Sequence, residues 1–292
     1  MDFSQILIRK SEITADNIKI KNLQAKNFIS HITLNEKMLF DVKDFKFTMA
    51  DGIIIGNLTY NLLNNITNMT MKIKDANAQI IADTLFDIHG QVYGNITGNV
   101  NLYCNMSSQD SCTQTLGGDI DFNVLNGRMP KLGSLEYLLK AGDLVKGGIT
   151  GLSIKGIVDL ITPYKTGEFD TIKGNIKISD GIANNIQIYS AGKSLNMYMK
   201  GSYNLINLIA DMEIFGALTK NFSTALGKIG NASLNTLFNT IPGINISESP
   251  SIITEDIKKI PNTEGNSYRI FKAVIYGDIN GNDYVKSFNW LK

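Results

Sequence analysis

KGNIKISDGIANNIQIYSAGKSLNMYMKGSYNL, residues 173–205, alternates apolar and polar side chains, and its breaks are Gly, Asn and Asp. Successive side chains of a strand point to opposite faces, so this period of two gives strands with one apolar and one wet face. Leu195, Met197 and Met199 alternate with Asn196, Tyr198 and Lys200. The same period appears upstream, where Met69, Met71 and Ile73 alternate with Thr70, Lys72 and Lys74. Ile120, Phe122 and Val124 likewise alternate with Asp119, Asp121 and Asn123. In LINLIADMEIFGAL, residues 205–218, Ile206, Leu208, Ala210, Met212 and Ile214 fall on one face of an expected strand. Asn207, Asp211 and Glu213 fall on the other, which a lipid-buried helix would tolerate poorly.

Many of these segments carry a Gly followed by a small polar residue: Gly56-Asn57, Gly94-Asn95, Gly118-Asp119, Gly174-Asn175, Gly201-Ser202 and Gly277-Asp278. The pair is read as a tight turn that opens each new strand of a meander. The spacing is irregular, unlike that of a solenoid or propeller. With 26 Gly, 5 Pro and abundant Asn, the turns are expected to rely on residues that tolerate positive φ.

The 292 residues, 43% of them hydrophobic, can bury a real core in one extended or two compact domains. Lys plus Arg (28) nearly balances Asp plus Glu (27). That removes a global field able to recruit nucleic acid or an anionic membrane surface. No signal-type apolar segment opens the sequence, and no uncharged apolar run has the ~18 residues of a spanning helix. The expectation for the chain as given is therefore soluble and untargeted. Three stretches have helical periodicity, at 75–86 with Asp75 as cap, at 131–147 after Pro130, and at 217–241. Their stripes are expected to face the core.

Catalytic constellations are missing from the sequence. His31 and His89 are its two histidines, and neither has metal-ligand spacing to Cys, Asp or Glu. There is no nucleophile elbow, phosphate loop or dinucleotide fingerprint. Asp119 and Asp121 share a strand face and read as solvated polar positions rather than paired catalytic carboxylates. No enzyme, metal or cofactor is expected. Asn-x-Ser/Thr triplets such as Asn95-Ile96-Thr97 follow from the Asn usage. Trp290 is expected to pack on a terminal strand. Cys104 and Cys112 flank NMSSQDS, a polar loop between two strand-like segments. They fit either a disulfide across a hairpin neck, in an oxidising compartment, or two ordinary thiols.

The order DANAQIIADTLF (75–86), GQVYGNITGNVNL (90–102), LGGDIDFNVLNGRM (116–129) resembles the C-terminal region of the AsmA-like proteins of Gram-negative-type envelopes. EFDTIKGNIKISDGIANNIQIYSAGKSLNMYMKGSYNLINLIADMEI (168–214) resembles it more closely, with Phe169, Gly174, Gly181, Ser190, Gly201 and Leu205 matching its Phe, Gly and apolar spacing. The likeness covers roughly residues 75–285, and its motifs are structural spacings with no catalytic signature. It divides the chain into a β-meander at 1–74, the end of a longer groove, and an AsmA-like C-terminal region at 75–292. Family members usually carry an N-terminal membrane helix and a longer body, and both are missing from this sequence, so the resemblance raises the expectation of a fragment or of the end of a split gene.

The resemblance implies a mainly β fold, an elongated curved antiparallel sheet forming a trough, with a few short amphipathic helices. It also implies a periplasmic location, an inner-membrane anchor outside this chain, and phospholipid or another acyl lipid as ligand for outer-membrane biogenesis. The lining would be Ile176, Ile178, Ile186, Ile188, Leu195, Met197, Met199, Ile206, Leu208 and Met212, with Lys177, Gln187, Asn196, Tyr198 and Asp211 facing water. Met49, Met69, Met71, Met197, Met199 and Met212 suit a surface that adapts to varied acyl chains, or an ordinary core. The alternative function is a structural or assembly factor that contacts outer-membrane proteins, its apolar face filled by its own helices. An enzyme is a distant third, and an outer-membrane barrel conflicts with the helical interruptions.

Overall fold

The structure is a computed structural model that describes residues 7–20, 23–85, 90, 92–129, 168–193, 195–219, 245–248, 255–262, 267–278 and 285–291. It is mainly β, as the alternation requires, with short helices interrupting an antiparallel meander. The strands are β1 (Ile8–Ile20), β2 (Leu23–Leu34), β3 (Leu39–Met49), β4 (Gly52–Asn61), β5 (Ile66–Asn77), β6 (Tyr93–Asn105) and β7 (Gly117–Arg128). They continue with β8 (Glu168–Ser179), β9 (Ile182–Gly192), β10 (Leu195–Asn204), β11 (Ile209–Thr219), β12 (Asn245–Glu248), β13 (Ser267–Asp278) and β14 (Val285–Trp290). In the sheet their order is the chain order from β1 to β11, then β13, β14 and β12. β12 lies parallel to β14. The chain forms two compact units, one of Met1–Val124, Lys173–Ile186 and Ser202–Asn207, the other of Leu125–Ile172, Gln187–Gly201 and Leu208–Lys292.

The first unit has two unlike faces, set by strand register. Phe47, Ile54 and Ile73 form one cross-strand row, Phe45, Gly56, Met71 and Val100 a second, and Val42, Leu58, Met69 and Leu102 a third. The rows between them, Lys46-Ile55-Lys72-Asn99 and Asn57-Thr70-Asn101, carry polar and charged groups to the opposite face. The apolar core centres on Ala25, Phe45, Phe47 and Ile54. Phe28 and Phe45 flank Phe47 at ring-centroid separations of 6.2 and 5.9 Å.

In the second unit, Tyr198 and Phe215 are fully buried and stack at 6.3 Å. Residues 255–261, a strap built on the 3-10 turn Ile257–Lys259, press Ile257 and Ile260 onto them. Since Tyr198 and Phe215 share this face, Met197, Met199 and Ile214 occupy the other, where Ile214 stands opposite Ala273.

The turns use positive φ, as the composition suggests, but not at the expected glycines. Ala50 and Asp51 (φ 49 and 62) join β3 to β4, and Asp180 and Gly181 (φ 50 and 71) join β8 to β9. These are the two-residue hairpin loops whose twist matches the strands. Asn35 and Asn204 cap other turns, their side chains accepting from the backbone of residues 37 and 39, and of 206 and 207. The Gly-polar pairs instead lie within strands. Gly56 is mid-β4, where Phe45 covers it, and Gly174 is mid-β8, under the ring of Phe122. Close packing by a neighbouring aromatic, joined at Gly56 by the Thr70 carbonyl, excludes a side chain there without any turn.

Helix α1 (Ala78–Leu85) starts later than expected. Asp75 still belongs to β5, and the Asn77 side chain caps the helix by accepting from Gln79 N and Ile80 N at 3.0 and 3.2 Å. Helix α2 (Gln109–Thr115), read from sequence as loop, is capped by Ser108. The expected helix at 131–147 lies outside the described residues. Of the one at 217–241, residues 217–219 end β11 and the rest lie outside the described residues.

Candidate functional site

The candidate site is the apolar face of the first unit. Phe45, Phe47 and Ile54 are buried beneath it, but Val42, Leu58, Met69, Met71, Ile73, Val100 and Leu102 are all half-buried. A cavity of about 690 Å³ over the same strands is lined mostly by residues of the alternate rows, Lys46, Ile55, Lys72, Asn99, Asn57 and Thr70 among them, and so is not a feature of the apolar face. Two of the methionines expected to form an adaptable surface, Met69 and Met71, sit on this face among rigid aromatics.

The face continues through Gly98, which stands opposite Ile73 and whose missing side chain leaves room for the Asp121 carbonyl beside Phe122. Phe122 in turn covers Gly174, so Ile176 and Ile178 follow on the same side two and four residues on. Ile178 and Ile186 are buried and Ile176 is half-buried. The opposite face is a ladder of polar groups. Thr59 donates to Asp41 at 2.9 Å, Asn101 to Asp119 at 3.4 Å, and Asn175 to Asp121 at 2.6 Å. Asp119 and Asp121 thus each accept a hydrogen bond from an asparagine side-chain amide on this face.

In the second unit Leu195, Met197, Met199 and Met212 share the face turned away from the strap, and Ile188 does so by alternation with Tyr189, which stacks on Tyr198 at 5.0 Å. Leu195 is buried, the other four half-buried.

Two expected lining positions are corrected. Ile206 and Leu208 are 49% and 47% exposed in a turn, because Asn204 caps it and Leu208 takes φ 61, so β11 begins at Ile209. Two positions expected to face water are also corrected, since Asn196 and Tyr198 are 2% and 1% exposed. Asn196 Oδ1 accepts from Gly192 N at 3.0 Å, and the strap covers Tyr198. Lys177 and Asp211 are exposed and Gln187 is half-buried.

The strap is also held by charge, an arrangement not legible in the sequence because the Lys200–Asp256 pair that anchors it spans 56 residues of the chain. Lys200 Nζ lies 2.6 Å from Asp256 and 3.3 Å from Glu213. Lys272 also binds Glu213, Lys259 lies 3.3 Å from Asp256, and the Lys259 ammonium sits 5.2 Å over the Tyr198 ring. The hydrogen bond from Lys200 holds the Asp256 carboxyl below the usual range, against a smaller burial effect. Burial pushes Glu213 up, but Lys272 and Lys200 together bring it below its ordinary value. The bond to Asp256 raises Lys200.

Cys104, at the end of β6, is joined to Cys112 by a disulfide with an S–S distance of 2.08 Å. Cys112 is on α2 rather than on a facing strand, so the bond pins a helix to the sheet. His31 faces Glu12 at 3.6 Å. Among the described residues no cluster of three His, Cys, Asp or Glu could hold a metal ion, and no helix is long and apolar enough to cross a membrane. No protein-family profile, curated protein or solved structure matches the chain.

Proposed function

We propose that this is a non-catalytic cell-envelope protein of AsmA-like type that binds an acyl lipid, such as a phospholipid, along the apolar face of its β-sheet. The observation that carries the reading is the half-buried apolar surface of Val42, Leu58, Met69, Met71, Ile73, Val100 and Leu102, which one side of β3 to β6 presents as a continuous patch. A soluble core would bury these side chains more completely, whereas an acyl chain laid across them would remove their exposed area from water. Each methylene fully buried contributes about 0.8 kcal/mol, so affinity should rise with the length of acyl chain the face can cover. Thioether side chains suit a ligand that varies in length and unsaturation. The Cys104–Cys112 disulfide supports an oxidising location such as the periplasm. The trough geometry, the inner-membrane anchor outside this chain and a part in outer-membrane biogenesis come with the family resemblance.

A second reading, a structural or assembly factor with a filled β core and envelope proteins as partners, draws on the second unit. There one sheet face is sealed by the chain's own strap through Ile257 and Ile260.

The test is native mass spectrometry of the protein purified with phospholipid, combined with a photo-crosslinker at Met71 or at Thr70 on the opposite face. Bound phospholipid captured from Met71 and not from Thr70 is the expected result. A folded protein that captures lipid from neither position replaces this reading with the structural one.

A further inference from the structure

Strand β1 runs for 13 residues, stands first in the sheet order, and among the described residues is paired on one side only, to β2. An edge strand of this length is a template for another strand, and proteins commonly blunt such an edge with Pro, a cover, a bulge or charged side chains. Of these β1 has the last two, in its shift between Ile8 and Ser11 and in Arg9, Lys10, Glu12 and Asp16. β1 has no Pro, and its residues opposite the core side of β2 are small or apolar. Ile8 stands opposite Leu34, Ile13 opposite Ser30, Ala15 opposite Phe28 and Ile18 opposite Ala25. The apolar face therefore continues to the edge, where Ile13 remains 43% exposed.

We propose that this edge pairs with β1 of a second copy of the chain, antiparallel, about a twofold axis through Ile13. In that register Ile13 meets Ile13, Ile8 meets Ile18, and Ser11 meets Ala15, so the apolar side of one copy runs into that of the other. Lys10 meets Asp16, Arg9 meets Asn17, and Glu12 meets Thr14. The irregularities coincide as well. The register shift between Ile8 and Ser11, which releases Arg9 and Lys10 from strict alternation, lies across from Asp16 and Asn17, where β2 is interrupted by Asn27 at φ 55.

Neighbouring registers are worse. Centring the axis on Glu12 sets Glu12 against Glu12, and centring it on Thr14 sets Glu12 against Asp16. Like charges directly opposite one another destabilise a strand pair, and a shift by a single residue turns the apolar face to water. A single strand pair is a small interface, so monomer and dimer exchange at concentrations on the order of 1–100 µM.

Sedimentation velocity of the full 292-residue chain across that range reads the association. The expected result is a concentration-dependent dimer that Ile13→Lys abolishes. Lys10→Asp alone and Asp16→Lys alone should each weaken association by about tenfold, and the two combined should restore it to within about threefold. These side chains are exposed or at the surface, and an unchanged far-ultraviolet circular dichroism spectrum shows that each variant folds. A chain that stays monomeric at several hundred micromolar, or a dimer indifferent to Ile13→Lys, overturns the proposal. Failure of the double charge reversal to restore what the single changes remove overturns the register.

Discussion

Lys200 Nζ lies 2.6 Å from a carboxylate oxygen of Asp256, so one cation on β10 anchors the strap that buries Ile257 and Ile260. Asp256 and Glu213 are both held below the ordinary carboxylate range. A carboxyl depressed in the folded state contributes stability that is present above its unfolded pKa, near 4, and is lost as pH falls through the folded value. Lys200, raised in the folded state, contributes stability below its unfolded pKa and loses it only as the pH rises through its folded value in the alkaline range. Urea midpoints should therefore fall as pH drops below about 5, and Asp256→Asn should flatten that slope. Equal slopes in the two proteins would remove the linkage.

The Cys104–Cys112 disulfide closes a short loop, with a sequence separation of 8. Chain-entropy reasoning assigns such a closure about 2.5 kcal/mol. Reduction, or Cys112→Ser, should lower stability by about that amount, read as a shift in the denaturant midpoint. Thiol titration of the oxidised, unfolded protein should find no free cysteine, and two titratable thiols would contradict the bond.

Met71 and Thr70 are neighbours in β5 that point to opposite faces. If the apolar face carries lipid, Met71→Lys should reduce phospholipid binding at least tenfold, because an unpaired charge in an apolar path costs several kcal/mol. Thr70→Lys should change binding less than about twofold, since position 70 is exposed. Equal binding by the two folded variants would place the lipid elsewhere or exclude it.

Gly56 and Gly174 make a contrast in backbone tolerance. A Cβ at Gly56 would collide with the Thr70 carbonyl oxygen and lie 2.6 Å from Phe45 Cζ, so part of the obstacle is backbone. A Cβ at Gly174 would meet the edge of the Phe122 ring, a side chain able to move. Gly56→Ala should therefore cost more than Gly174→Ala, by about 1–3 kcal/mol, measured by equilibrium urea unfolding. The opposite ranking would mean that the β4–β5 backbone gives way more readily than the ring.

The period of two made the mainly β class legible, and in β5 it separated the faces correctly, with Met69 and Met71 half-buried and Thr70 and Lys72 exposed. It failed at β10. Alternation assigns Asn196 and Tyr198 to water, yet the strap lands on that face from some 60 residues downstream and buries Tyr198 against Phe215. Local patterning records how a strand is divided, not whether both sides are later covered. The glycines misled for a related reason. A glycine kept clear for a neighbouring aromatic ring has the same sequence signature as one that turns the chain, and only the register of Phe45 against Gly56 distinguishes them. Asn204 was the overlooked signal, since an Asn two residues before Ile206 marks a capped turn inside an otherwise apolar run.

Strands β1 to β6 adjoin one another in space in the order in which they leave the ribosome. Each strand thus emerges beside a template already in place, and assembly can advance hairpin by hairpin without waiting for a distant partner. Cooperativity in such an array is nearest-neighbour, so a lesion in one rung should weaken the adjoining rungs and fade beyond them. Length is then the freely adjustable quantity. Whole hairpins can be gained or lost by duplication or deletion while the rest of the row keeps its register, and the surface that the row presents grows or shrinks in steps of two strands.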